Sequence, residues 1–224
     1  MVIQDLGYTY DAVGNITALS DQSQTLLAKN TTYEYDDLYR LTGATVTNSA
    51  NEQDYEQSYS YDIIGNILNK SDIGDYLYEY TNPYQASRVH QADYAYDLNG
   101  NLTNDGVKTY HYNWADRLAS VDISVNNVLS NLYDHSGART LKQLTSTKLN
   151  QDPEAGEIIA IAKTAYPNSL YEEETSGLED QEQNWPTIKT RHITLGNQTI
   201  AHFTVNPQGN VEQALVFGDH LGSA

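Results

Sequence analysis

The segment Tyr8-Thr9-Tyr10-Asp11-Ala12-Val13-Gly14-Asn15-Ile16 opens the chain's repeated phrase. Tyr-x-Tyr-Asp returns as Tyr33-Glu34-Tyr35-Asp36, Tyr59-Ser60-Tyr61-Asp62 and Tyr94-Ala95-Tyr96-Asp97, and with Asn for Asp as Tyr110-His111-Tyr112-Asn113. A phrase recurring in this way marks a fold accreted from one small unit. Side chains alternate along a strand, so the two Tyr of each unit fall on one face. The Asp that follows can accept backbone N–H groups of its own turn, and a Gly three positions on can adopt the positive φ of a tight reversal.

Three copies close the turn with Gly-Asn before an aliphatic residue: Gly14-Asn15-Ile16, Gly65-Asn66-Ile67 and Gly100-Asn101-Leu102. Two others end in Arg at the same spacing, as Tyr39-Arg40-Leu41 and Asp116-Arg117-Leu118. Each unit therefore reads as strand, turn, strand, and we expect each Arg to reach the carboxylate of a neighbouring turn, such as Asp11 or Asp62. Degraded copies follow the same order. Tyr78-Glu79-Tyr80-Thr81-Asn82-Pro83 has a longer turn whose Pro keeps it off a central ladder, and Leu132-Tyr133-Asp134 has lost a Tyr.

Beyond Leu144 the phrase fades. Strand signals continue at 157–163, 189–195, 198–205 and 214–217, with turns at Gly196-Asn197 and Pro207-Gln208-Gly209-Asn210. The stretch from Glu172 to Asn184 carries six acids and no Lys or Arg, so it reads as a solvated acidic loop at about 172–188. The expected organisation is a repeat array over 1–145 and a degenerate region over 146–224.

Composition narrows the function. The 224 residues hold 19 Tyr against 2 Phe and 2 Trp, which suits a thin sheet that is wet on a face or an end. A formal charge of −18 argues against nucleic acid and anionic membrane surfaces. No run approaches the ~18 apolar residues of a spanning helix. The chain has no Cys, and its 6 His are scattered without zinc spacing. The Asp-x-x-Gly-Asn turns lack the dense acids of a calcium loop. Neither a metal nor a cofactor is expected.

The alternation of Tyr-x-Tyr-Asp with Gly-Asn-Ile/Leu or x-Arg-Leu resembles the YD repeats of the Rhs family, which occur also in the C component of insecticidal toxin complexes and in teneurins. Leu170-Tyr171-Glu172, His192-Ile193 and the closing Asp219-His220-Leu221-Gly222-Ser223 follow in the family's order, the last being similar to the Asp-His-Leu-Gly-Ser signature of the Rhs core. The resemblance implies an all-β fold of YD hairpins in a large curved, spiralling antiparallel sheet, forming a shell around a C-terminal toxin. It implies a secreted or delivered bacterial component, with the rest of its own polypeptide and an enclosed toxin as partners, and a partner shell or delivery protein besides. The cleavage site and the toxin are expected in a longer polypeptide.

Sharper chemistry finds little footing. Asp152-Pro153-Glu154-Ala155-Gly156-Glu157 departs from the family's Asp-Pro-x-Gly-Leu cleavage motif in spacing, in sequence and in position. Asp219, His220 and Ser223 lie too close in sequence to converge as a triad without an unusual turn. The chain thus reads as a structural, non-enzymatic wall segment. The alternative is a carbohydrate- or cell-surface-binding module that uses exposed Tyr faces. Open strand edges at the ends of such an array invite self-association.

Overall fold

A computed structural model describes residues 4–23, 28–48, 55–149, 157–179, 185–195 and 198–216. These are strands and turns, with no α-helix among the described residues, and the chain forms two compact units, 1–94 and 95–224. The first is a nine-stranded sheet: β1 (Leu6–Tyr10), β2 (Ile16–Asp21), β3 (Lys29–Tyr35), β4 (Leu41–Asn48), β5 (Tyr55–Tyr61), β6 (Ile67–Lys70), β7 (Gly74–Leu77), β8 (Arg88–Val89) and β9 (Ala92–Asp93). The second is eleven-stranded: β10 (Ala95–Tyr96), β11 (Leu102–Asn104), β12 (Thr109–Tyr112), β13 (Leu118–Ser124), β14 (Asn127–Tyr133), β15 (Arg139–Leu149), β16 (Glu157–Asn168), β17 (Tyr171–Leu178), β18 (Thr187–Leu195), β19 (Gln198–Val205) and β20 (Val211–Leu215). Strand order equals chain order in both, every pairing is antiparallel, and there is no crossover.

Each Tyr-x-Tyr-Asp phrase forms the hairpin that its sequence predicts, with one addition. The register slips by one residue just before the turn: Thr9 faces Ala18 but Tyr10 faces Ile16, so Thr17 is bulged. The same slip recurs at Glu34/Tyr35, Ser60/Tyr61, Ala95/Tyr96, His111/Tyr112 and Leu132/Tyr133. Such a bulge sharpens the local right-handed twist and aims the next side chain. In these six units it places the second Tyr, or its Tyr133 equivalent, opposite the residue that leaves the turn.

The sheets are thin. Within each unit, strands make their main contacts only with their sequence neighbours. Among the described residues the buried apolar side chains are few and mostly small: Ala28, Ala86 and Val89 in the first unit, Val121, Ile161 and Ala201 in the second. Cross-strand pairs and the ladder therefore hold these sheets, rather than a packed interior.

The expected change of character after 145 falls within β15, and the compact units divide after Tyr94. One expectation changes. Of the acidic stretch expected as a loop over about 172–188, Tyr171–Leu178 is a strand paired with both β16 and β18, Thr187 begins β18, and 180–184 lie outside the described residues. Its charges are answered across the sheet. Glu173 lies opposite Lys189, with Oε1 3.4 Å from Nζ, and accepts the Tyr171 hydroxyl at 2.7 Å, while Glu172 stands 3.6 Å from His192 Nε2. The tyrosine hydroxyl, together with Lys189, outweighs desolvation and holds the Glu173 carboxyl below its usual range. Trp185 closes the β17–β18 connection by donating Nε1–H to the Leu178 carbonyl at 2.8 Å. Its ring lies so close over Gly177 that a Cβ there would collide with it.

Backbone conformation at the fourth turn position separates the two turn classes. Gly14, Gly65 and Gly100 take φ of 99°, 96° and 90°, while the Arg class places Tyr39 at 61° and Asp116 at 54°. A left-handed non-glycine residue costs about 1–2 kcal/mol. Chemical denaturation should therefore find Tyr39→Gly more stable than the parent by about 0.5–1 kcal/mol, and Gly65→Ala less stable by about 1 kcal/mol although nothing stands within 4 Å of the added methyl.

Candidate functional site

The feature these residues build within each unit is a set of like turns, neighbours of which are joined. In the first, Asp11 N–H donates to the Asn15 carbonyl at 2.9 Å, while Asp11 Oδ1 accepts from the N–H of Val13 at 3.0 Å and of Asn15 at 2.8 Å. The Asn15 side-chain amide donates to the other carboxylate oxygen at 2.8 Å. Asp62 with Asn66 and Asp97 with Asn101 repeat these bonds. Asp36, Asn113 and Asp134 repeat the backbone part.

The same turn survives where the Tyr phrase is gone. Asn206 N–H donates to the Asn210 carbonyl at 3.0 Å, and Asn206 Oδ1 accepts from the N–H of Gln208 and Asn210, with Gly209 at φ 83°. The spacing Asn206-x-x-Gly209-Asn210 is the readable signal for this turn. Following the meander, it lies at the opposite end of the strands from the turns at Asp97, Asn113 and Asp134.

Neighbouring units are tied by tyrosine. The Tyr35 hydroxyl donates to the Ile16 carbonyl at 2.8 Å, and Tyr61 does the same to Leu41 at 2.7 Å and Tyr78 to Ile67 at 3.1 Å. In the second unit Tyr112 donates to Leu102 at 3.1 Å and Tyr133 to Leu118 at 2.8 Å. Each acceptor is the residue that leaves the preceding turn, beside the bulge, so the phenol satisfies a backbone group there. Desolvation within the sheet holds the Tyr35, Tyr61 and Tyr112 hydroxyls above the usual tyrosine value, which keeps them protonated donors.

The Arg residues correct the expected ladder. Arg40 Nε bonds the carboxylate of its own Asp36 at 2.7 Å, and Nη1 donates to the backbone carbonyl of Asp62 at 2.9 Å. Its guanidinium stacks 4.7 Å from the centroid of Tyr61. Arg thus reaches the next turn, but at a carbonyl, because the neighbouring carboxylate is already filled by its own turn's N–H groups. Arg117 lies over Tyr133 and Arg139 over Tyr166 in the same manner. Asn serves as a shorter version: Asn66 donates to the Pro83 carbonyl at 2.8 Å, and Asn101 reaches Asp116 at 3.1 Å.

The turn carboxylates are charged anchors. Asp11 and Asp62 pay a desolvation cost, but the bonds from the Asn partner and the turn N–H groups outweigh it and lower their pKa. Asp36 is lowered chiefly by the Arg40 N–H, Asp97 by the Asn101 amide and Asp134 by the Ser136 hydroxyl. At the tips, by contrast, apolar side chains stand in solvent. Ile63 is 94 % exposed in the first unit, and Leu98 and Trp114 are 106 % and 97 % exposed in the second.

Other candidates are placed as follows. Tyr8 and Tyr10 stack at 6.4 Å between centroids, and Tyr33, Tyr59, Tyr94 and Tyr110 occupy the first Tyr position of their units. His192 and His202 face each other across β18 and β19, Nδ1 to Nδ1 at 2.7 Å. Among the described residues no three of His, Cys, Asp and Glu stand together as a metal site. Asp219, His220, Leu221, Gly222 and Ser223, Asp152-Pro153 and Gly196-Asn197 lie outside the described residues.

A family model described as teneurin YD-shell matches residues 1–151. The chain belongs to the teneurin YD-shell family. That match spans the YD turns from Asp11 to Asp134 and the whole of β15, and ends upstream of the Asp219–Ser223 signature. No curated protein matches the chain. Membership of the YD-shell family points to a structural shell role, and no helix among the described residues is long and apolar enough to cross a membrane.

Two outcomes follow from this geometry. Tyr61→Phe keeps the ring beneath Arg40 but leaves the Leu41 carbonyl without its donor, so urea denaturation should show a loss of about 1 kcal/mol. The lowered pKa of the turn Asp residues means that their stabilisation is complete above the unfolded value of about 3.8 and is lost as pH falls through the folded values. Asp134→Asn, which copies the natural Asn113 turn but cannot carry the charge, should be somewhat less stable than the parent at neutral pH, converge with it in acid, and so make acid unfolding monitored by circular dichroism less steep.

Proposed function

We propose that this YD-shell segment is a non-catalytic stretch of wall in an Rhs-type toxin, enclosing a toxic cargo carried C-terminally in the same polypeptide. The observation that carries this reading is the thin antiparallel meander of each unit, in which neighbouring turns are linked by tyrosine, Arg or Asn. Such a sheet lengthens by adding units and needs no interior of its own. Containment asks for that property, whereas a catalytic pocket asks for a packed scaffold that fixes a few groups. The turn carboxylates and many of the tyrosine hydroxyls are occupied by backbone, so the groups with acid–base potential already have structural work.

The negative charge keeps such a wall soluble and complements a basic or partly unfolded cargo. The exposed tips at Ile63, Leu98 and Trp114 suit contact with further wall or with a shell or delivery partner. In this reading the segment is part of a secreted or delivered bacterial protein. The glycan-binding alternative draws less support, since Tyr35 and Tyr61 engage the backbone and Arg40 covers a face of Tyr61.

The test uses the natural polypeptide that carries the segment. Limited proteolysis should spare the C-terminal cargo when the wall is intact and digest it when Arg40→Ala and Tyr61→Ala are combined. Equal digestion of the cargo in both proteins would overturn containment, and hydrolase or transferase activity of the purified 224-residue chain would overturn the non-catalytic part.

A further inference from the structure

The second unit carries a cationic cleft in an acidic chain. Side chains alternate along a strand, so the odd-numbered residues of β17, β18 and β19 share one face of the sheet. The register sets them in cross-strand rows: Glu173, Lys189 and Val205 in one, Tyr171, Arg191 and Phe203 in the next, and Ile193 with Ala201 beyond. Tyr171, Lys189, Arg191, Ile193, Phe203 and Val205 line a cleft of about 390 Å³ in this face, open to solvent. Small-molecule sites commonly occupy about 300–1,000 Å³. The three strands that build the cleft lie inside the ladder, so further strands added at an edge of the sheet would leave it open.

Arg191 is the unusual group in it. Arg40 and Arg88 bond carboxylates, and Arg117 and Arg139 lie over tyrosine rings. Arg191 is exposed and makes no hydrogen bond, ion pair or ring stack among the described residues. Both of its cross-strand neighbours are aromatic, so no carboxylate stands opposite it. Lys189 differs, because it faces Glu173 at 3.4 Å, and the same Glu173 oxygen accepts the Tyr171 hydroxyl. That hydroxyl, raised above its usual value by the bond to Glu173 and by desolvation, is pulled the other way by Arg191, so the guanidinium's field reaches into the cleft.

We propose that this cleft binds a small aromatic monocarboxylate, with the carboxylate on Arg191 and the ring against Phe203 and Tyr171. A guanidinium presents a planar fork that takes both oxygens of a carboxylate, and such charge-assisted bonds are stronger than neutral ones. Phe203, Ile193 and Val205 supply the apolar floor for the rest of the molecule. Lys189 and Glu173 offset each other, which leaves one uncompensated positive charge. One charge calls for a monoanion, because a second negative charge would meet Glu173 with no cation left to answer it. The ion pair is exposed, so salt weakens it. The proposal stands on this face of the sheet and is independent of the containment reading.

Titration of the isotope-labelled whole chain with phenylpropionate, followed by two-dimensional NMR, tests it. We expect saturable shifts centred on Tyr171, Arg191 and Phe203, with a midpoint of about 1 mM for so small a probe. Acetate and phenylpropanol, each carrying one half of the probe, should bind about tenfold more weakly than the whole. Arg191→Gln changes an exposed side chain, so it should keep the far-UV spectrum and weaken phenylpropionate binding about tenfold, while Arg191→Lys, which keeps the charge without the fork, should fall between. Absence of saturable shifts overturns the proposal. So does acetate binding as tightly as phenylpropionate, which would show charge attraction alone, and so does undiminished binding to Arg191→Gln, which would show apolar contact alone.

Discussion

One side-chain oxygen organises this protein: the Oδ1 of Asp or Asn at the head of each turn, accepting two or more backbone N–H groups of the turn that follows. That contact fixes the reversal, and in the tyrosine-bearing units a one-residue slip in the register accompanies it on the way out. The slip aims the second tyrosine so that its hydroxyl meets the carbonyl beside the previous turn. With Oδ1 spent on backbone, Oδ2 is free to hold Asn or Arg at the fifth position, and that residue extends to the next turn. Local turn chemistry and long-range cohesion are thus one network, written into a nine-residue phrase.

Much of this was legible in the sequence, and the illegible parts share a physical cause. The hairpins could be read because Tyr-x-Tyr, Asp and Gly-Asn each act within a few residues of themselves. The tyrosine hydroxyl's acceptor could not, because Ile16 and Tyr35 are brought together by the intervening strand pairing. Arg40 was readable as a link to the next turn but not as a ligand of its own Asp36, since that depends on which carboxylate oxygens the turn had already consumed. The strand Tyr171–Leu178 was hidden by its acids: composition suggested solvation, whereas Lys189 on the facing strand and the Tyr171 hydroxyl answer Glu173. The turn at Pro207-Gln208-Gly209-Asn210 was legible from its Pro and Gly-Asn, but not that Asn206 heads it in the manner of Asp11, because the tyrosines that advertise the others are gone.

The two turn classes show how far the network tolerates change. Glycine at the fourth position is the conformationally cheap choice, yet Tyr39 and Asp116 occupy the same left-handed region. Their turns end in Arg, whose guanidinium bonds or covers parts of the following unit that Asn is too short to reach. In Asp116 the side chain also accepts from Asn99 and Asn101, so the strained residue is itself a tie between turns. Backbone strain in one turn is offset by cohesion with its neighbour.

Because each strand pairs only with strands next to it in the chain, the fold has low contact order. A hairpin closes as soon as its few dozen residues are available, without waiting for a distant segment, and the ordered sheet can grow from a finished unit one strand at a time. The same topology allows the sheet to be drawn apart from an end in that order, with no threaded or crossed connection to release. A sheet of this order can be assembled as it is synthesised and dismantled strand by strand, a kinetic property that follows from the plain meander order of β1 to β9 and of β10 to β20.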